Sequence, residues 1–276
     1  MQRSKSLHTE VVVRKVAFPL LSVLIGVLVL LVGEVPAGAA GANYVALGDS
    51  YSSGVGAGGE TGSCSQSPNA YPPLWVSSHA TASFKFMACS GAKTTDVSAN
   101  QISALSSSTT LVTITIGGND VGFSQVMIDC NLYSDSTCVN EINAAENTAQ
   151  TQLPGWLDTL YSQIKSRAPY ARVVVLSYPR FYDLSASWYC PGLSYTKRQK
   201  INEGADVLDG VIKTEAGKYG FSFADVRSRF ANGHEICDYG SEWLHSVDWS
   251  NVSDSYHPNA SGQSGGYLPS LTAITG

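Results

Sequence analysis

Five short apolar runs, at 43–47, 83–88, 111–116, 172–177 and 221–225, recur along the chain with longer segments of helical spacing between them. Most of the runs are continuous rather than alternating, the pattern of strands buried on both faces. In the intervening segments Trp156, Leu157, Leu160, Tyr161 and Ile164 share one helical face, as do Ile201, Ala205, Leu208 and Ile212. Strands alternating with helices predict an α/β fold whose mainly parallel sheet is covered on both sides. Pro169 closes the helix before the fourth run and Pro179 follows that run, so these prolines punctuate elements rather than domains. No linker or internal repeat divides the chain, and 123–147, which holds Cys130 and Cys138, reads as a surface insertion.

The first forty residues stand apart. Arg3, Lys5, Arg14 and Lys15 precede an apolar run at 18–32, and the small residues Pro36, Ala37, Gly38, Ala39, Ala40, Gly41 and Ala42 follow it. This is the charged, apolar and small-residue order of a secretory signal peptide. The run is shorter than the about twenty residues a membrane span needs. The expectation is therefore a signal peptide over 1–40, cleaved after Ala39, Ala40 or Ala42, and one secreted, extracellular domain over 41–276.

A net charge of −5 for the whole chain argues against a nucleic-acid surface, because phosphate binding needs clustered Lys and Arg. Loss of the basic leader makes the remainder more acidic still. Cys64, Cys89, Cys130, Cys138, Cys190 and Cys237 all lie beyond the leader, and an even number in an exported chain favours disulfides, though spacing does not settle the pairing. A metal site from His234, Cys237 and His245 is the competing reading, and it lacks a paired C-x-x-C knuckle.

In an open parallel sheet, functional groups gather where strands end. The first run passes from Tyr44 through Leu47 into Gly48, Asp49 and Ser50; the turn Cys89-Ser90-Gly91-Ala92 follows the second; Gly117-Gly118-Asn119-Asp120 follows the third. A serine hydroxyl is a weak nucleophile until a base takes its proton. His257, in Asp254-Ser255-Tyr256-His257-Pro258, is the best candidate base, because His8 is in the leader and His79, His234 and His245 have no comparable carboxylate-His-Pro context. Acyl transfer also needs donors for the oxyanion, each worth about 3 kcal/mol. The N–H groups of Ser50 and Gly91 and the side-chain amide of Asn119 are the candidates. In isolation each motif has a plainer reading: a surface histidine, or a Gly- and Asn-rich turn. Together they describe a serine hydrolase.

These four blocks, in this order over 44–268, resemble the SGNH, or GDSL-type, hydrolases. Tyr-Val-Ala-Leu-Gly-Asp-Ser-Tyr-Ser-Ser-Gly from Tyr44, Ala-Cys-Ser-Gly-Ala from Ala88 and Ser-Tyr-Pro-Arg-Phe from Ser177 are most similar to the secreted, six-cysteine bacterial lipase, esterase and phospholipase branch. The resemblance implies a three-layer α/β/α sandwich on a five-stranded sheet, flavodoxin-like, with no metal or cofactor. It implies bridges Cys64 to Cys89, Cys130 to Cys138 and Cys190 to Cys237. It also implies Ser50 as nucleophile, His257 as base, oxyanion donors from Ser50, Gly91 and Asn119, and Asp254 as the acid that orients His257. Some members orient that histidine by a main-chain carbonyl two residues earlier, here that of Ser255. The implied substrate is a lipid or other carboxylic ester, met by a monomer in transient contact with lipid surfaces and cleaved without a nucleic-acid partner.

Other readings fit less of the chain. The elbow G-x-S-x-G of another hydrolase class would need glycine where Ser52 stands. Gly54-Val55-Gly56-Ala57-Gly58-Gly59 matches the dinucleotide fingerprint literally, but sits several residues past its strand with no acid about twenty residues on. A non-catalytic binding protein on the same scaffold would have no need of nucleophile, base and amide donor together. Acylated polysaccharides and plant-polymer esters are alternative substrates. Phe123, Tyr178, Phe181, Tyr182, Trp188 and Tyr189 are candidates to line an acyl groove or to fill the core.

Overall fold

The computed structural model describes residues 41–185, 190, 192–238 and 241–276, together with positions 1, 10, 12 and 14. The chain divides into two units, Met1–Gly38 and Ala39–Gly276, and the architecture is that of the second. The expected signal peptide lies, apart from those four positions, outside the described residues, as do Trp188 and Tyr189.

β1 (Ala42–Gly48), β2 (Thr81–Phe86), β3 (Leu111–Thr115), β4 (Arg172–Leu176) and β5 (Ser222–Ala224) form one sheet in the order β2-β1-β3-β4-β5, with every neighbouring pair parallel. Each strand falls within two residues of a predicted run. β1, β3 and β4 are buried along almost their whole length, whereas the edge strands β2 and β5 are only partly covered. Continuous apolar runs thus mark the three middle strands, which helices cover on both faces.

The helices are α1 (Ser50–Ser53), α2 (Tyr71–Ser78), α3 (Thr94–Asp96), α4 (Phe123–Leu132), α5 (Asp135–Thr151), α6 (Leu153–Arg167), α7 (Tyr195–Lys218), α8 (Arg227–Phe230) and α9 (Leu268–Thr275). α5, α6 and α7 pack on one another, α2 packs on α9, and α7 and α9 both meet β4 and β5. The result is a three-layer α/β/α sandwich. On α6, Leu153, Leu157, Leu160, Tyr161 and Ile164 are buried, while Trp156 sits at the edge of that face. The predicted stripe Ile201, Ala205, Leu208 and Ile212 of α7 is buried throughout. Each large apolar side chain so buried contributes about 2 kcal/mol.

The stretch 123–147 is not a surface insertion but the helical pair α4 and α5. α5 buries only Cys138, Ile142 and Ala149, one position per turn or fewer, so its sequence carries little apolar periodicity. It packs against α7 at Gly204, where an added Cβ would stand 3.0 Å from Ile142 Cγ2.

All three disulfides form as the resemblance implied: Cys64–Cys89, Cys130–Cys138 and Cys190–Cys237. The last leaves Cys237 unavailable to any metal. Cys130–Cys138 staples α4 to α5, and Cys64–Cys89 ties the loop after α1 to the turn after β2. The Cys64→Ser, Cys89→Ser double variant should lose about 2–4 kcal/mol of stability in urea unfolding. Unchanged stability would contradict a structural role for this bridge.

Candidate active site

β1 lies between β2 and β3, so the chains leaving β1 and β3 diverge and open a crevice at the carboxyl ends of the strands. Ser50 stands there as the first residue of α1, directly after β1. Gly48 makes the turn: its φ is +125°, and a Cβ on it would lie 2.5 Å from the Thr115 carbonyl oxygen of β3. Only glycine fits such a position. Gln101 clamps the same residue, accepting from the Gly48 N–H at 2.8 Å and donating to its carbonyl at 2.9 Å.

Asp49 caps α1 and joins three strand ends. Its Oδ1 accepts from the Tyr51 N–H at 3.0 Å and from the Thr115 hydroxyl at 2.6 Å, and its Oδ2 accepts from the Tyr178 hydroxyl. The same Tyr178 oxygen accepts the Gly118 N–H at 3.1 Å. Burial raises the Asp49 carboxyl to about 6, against the three hydrogen bonds, which act in the other direction. Ser52 turns inward, its Oγ within 2.8 Å of both Tyr71 Oη and Thr115 Oγ1, and is fully buried.

The Ser50 hydroxyl meets His257 Nε2 at 2.7 Å. His257 is held by its main chain, donating its N–H to the Asp254 carbonyl at 3.0 Å and accepting from the His245 N–H at 3.0 Å. The residue before it, Tyr256, has φ +65°, uncommon for a non-glycine residue. Three elements hold Tyr256 there: Tyr51 donates to its carbonyl at 2.7 Å, Asn131 of α4 donates to its hydroxyl at 2.7 Å, and the Tyr182 hydroxyl lies 3.1 Å from that oxygen. Sequence reasoning missed Asp49, Tyr178, Gln101 and Tyr256 as supports, since a buried polar side chain looks the same in sequence as an exposed one.

The Asp254 carboxylate accepts from the Ser253 hydroxyl at 3.3 Å and makes no hydrogen bond to the imidazole. Its link to His257 is the carbonyl. With Nε2 accepting from Ser50, the ring proton belongs on Nδ1. The main chain of Ser253 and Ser255 favours protonation of the ring, yet among the described residues no acceptor completes a hydrogen bond to Nδ1. Desolvation outweighs those groups and lowers His257 to about 4.

Gly91 and Asn119 line the same cavity as Ser50 and His257, a space of about 300 Å³. The first N–H groups of a helix have no carbonyl one turn back, so that of Ser50 faces no intrahelical acceptor. Asn119 Nδ2 donates to the Ala92 carbonyl at 3.1 Å, which orients its amide against the Gly91 turn and leaves a second amide proton. Asp120 secures the two loops, accepting from the Thr94 hydroxyl at 2.6 Å and the Thr94 N–H at 3.1 Å. Gly56, from the apparent dinucleotide fingerprint, is instead a contact point: a Cβ there would lie 2.9 Å from His245 and 3.2 Å from His257. Of the candidate aromatics, Phe123, Tyr178 and Phe181 line the cavity, whereas Tyr182 is buried against Tyr256.

Residues 46–264 match the model of the GDSL-like lipase/acylhydrolase family. The chain belongs to that family. This GDSL-type protein is 53% identical over 236 residues to Lipase 1 of Streptomyces coelicolor, covering 84% of this chain and 87% of that one. The crystal structure of phospholipase A1 from Streptomyces albidoflavus NA297 is similar at a TM-score of 0.81 and 52% identity, over 85% of this chain and 99% of that one. The extracellular lipase of Streptomyces rimosus matches at a TM-score of 0.80 and 52% identity, over 83% and 98%. A GDSL-type hydrolase of this kind is a carboxylic ester hydrolase.

The histidine makes a direct test. Its folded pKa, about 4, lies below the ordinary 6.5. The unfolded chain therefore binds the proton first, and the stability this group contributes is full above pH 6.5 and lost as pH falls to about 4. In NMR of ring-labelled histidine, His257 should titrate near pH 4; a midpoint near 6.5 would contradict the desolvated site.

Proposed function

We propose that the protein hydrolyses acyl-lipid esters through an acyl-enzyme on Ser50. The observation that carries this reading is the 2.7 Å contact between Ser50 Oγ and His257 Nε2 at the wall of a largely apolar cavity. His257, neutral above about pH 4, accepts the Ser50 proton as Oγ attacks the ester carbonyl. The Ser50 and Gly91 N–H groups and the Asn119 amide receive the oxyanion. Collapse expels the alcohol, which takes the proton from His257, and water then repeats the sequence in reverse to release the acid. His257 is oriented by main-chain groups around Ser255 rather than by the Asp254 carboxylate, a reading supported by the missing hydrogen bond between Asp254 and the ring.

Lipid rather than polysaccharide esters fit the lining, where Phe123, Met127, Ile128, Phe181 and Leu208 offer apolar surface. Exposed Trp249 and Val252 line the same cavity and suit transient contact with a lipid surface by a monomer. The names of the similar proteins, lipase and phospholipase A1, support the same substrate class. Export as a secreted, extracellular enzyme, with 1–40 removed as a signal peptide, is supported by the three disulfides, which persist in oxidising compartments.

Hydrolysis of a medium-chain ester by single variants tests these roles. Ser50→Ala should lose at least about 10³-fold in kcat, Ser52→Ala should retain turnover, and Asp254→Asn should lose less than about twofold. Wild-type turnover in Ser50→Ala would overturn the nucleophile, and a loss of about 10³-fold or more in Asp254→Asn would restore the carboxylate to the catalytic group.

A further inference from the structure

Behind the cavity at Ser50 lies a second, smaller one of about 30 Å³, enclosed by α4, α5 and α7. Phe123, Met127 and Leu208 line both spaces. They are therefore the partition between them. On the far side stand Val126, Ile142, Ala145 and Ile201, with Glu146 at the edge held in an ion pair with Lys200 at 2.8 Å, and the wall there is fixed: Cys130–Cys138 staples α4 to α5, and Gly204 holds α7 close against Ile142. The partition itself is softer. Met127 is a buried, unbranched thioether, a residue type that adapts its shape to its surroundings. Phe123 is only half-buried and keeps its place by stacking on Phe181, with ring centroids 5.0 Å apart.

Resting on the reading that the acyl chain of the substrate occupies the front cavity, we propose that Phe123, Met127 and Leu208 set the longest acyl chain the enzyme accepts. The three side chains form the end stop of the acyl site, and the back cavity is the space a longer chain would enter. The two spaces share these three side chains as lining. The back cavity alone has about the volume of one water molecule. Removing Met127 beyond the β-carbon joins it to the front cavity and adds the volume of the lost side chain. An apolar pocket that gains room for even one methylene changes its preference by at least about tenfold.

The experiment measures kcat/KM for p-nitrophenyl esters from acetate to palmitate. Met127→Ala should raise the ratio of long-chain to medium-chain kcat/KM by about tenfold or more. Ala145→Leu added to Met127→Ala refills the back cavity from α5 and should return the ratio to the wild-type value. Phe123→Ala, at the less buried position, should shift the ratio in the same direction and serves if Met127→Ala does not fold. Ile128→Trp narrows the front cavity without touching the partition, and should depress every chain beyond acetate. If Ile128→Trp changes no chain length, the front cavity is not the acyl site and the underlying reading fails. If it acts as expected but neither opening variant shifts the ratio, or if Ala145→Leu leaves the gain intact, the partition does not set chain length.

Discussion

The Asp49 carboxylate sits almost wholly out of water at the point where β1, β3 and β4 end, and the catalytic edge of the sheet is arranged around its hydrogen bonds. A carboxyl group buried there without partners would cost several kcal/mol. Each of its three partners comes from a different strand end: Tyr51 after β1, Thr115 closing β3 and Tyr178 after β4. Satisfying one side chain therefore fixes the start of α1, and with it Ser50, relative to two other loops. Because its pKa is raised to about 6, the stability linked to protonation of this group is present at low pH and is lost as pH rises through that value. His257 works in the opposite direction, so acid weakens one support of the site while favouring the other.

A second set of contacts fixes His257. Tyr256 occupies a left-handed backbone position that a tyrosine seldom adopts, and it does so within hydrogen bonds from Tyr51, Asn131 and Tyr182. Backbone strain of this kind costs on the order of 1–3 kcal/mol and persists where surrounding contacts over-determine it. Tyr51 follows Ser50 and its hydroxyl reaches the carbonyl of the residue preceding His257, so a single side chain spans the two halves of the site. Asn131 brings in α4, whose Met127 and Phe123 line the cavity at Ser50, and thus couples the wall of the pocket to the position of the histidine.

Strand positions were legible because central strands of a parallel sheet bury both faces and read as unbroken apolar runs. The regular stripes of α6 and α7 were legible because one face of each is buried, which repeats apolar residues at helical spacing. α5 was not, since it meets its neighbours through Cys138, Ile142 and Ala149 alone and is otherwise polar. Ser50, His257, Gly91 and Asn119 were found because each follows a strand or sits in an unusual local context, and the structure gathers them at one cavity. Asp254 illustrates the limit of spacing: three residues before the histidine, its carboxylate turns to Ser253 while its carbonyl takes the His257 N–H. Gln101, Tyr178 and Tyr256 carry no mark in a sequence rich in polar residues, because their roles depend on partners distant along the chain.

The central claim is that the Asp49 hydrogen bonds position Ser50, and the turnover of folded Asp49→Ala against Asp49→Asn tests it most directly. Asparagine keeps an acceptor oxygen for Tyr51 and Thr115, whereas alanine removes the acceptor from the Tyr51 N–H, the Thr115 hydroxyl and the Tyr178 hydroxyl at once, at about 1–3 kcal/mol for each buried donor left unpaired. The account predicts a loss of about a hundredfold in kcat for Asp49→Ala, as a displacement of about 1 Å at a reacting atom would cause, and a loss within about tenfold for Asp49→Asn. Wild-type kcat in folded Asp49→Ala would contradict it.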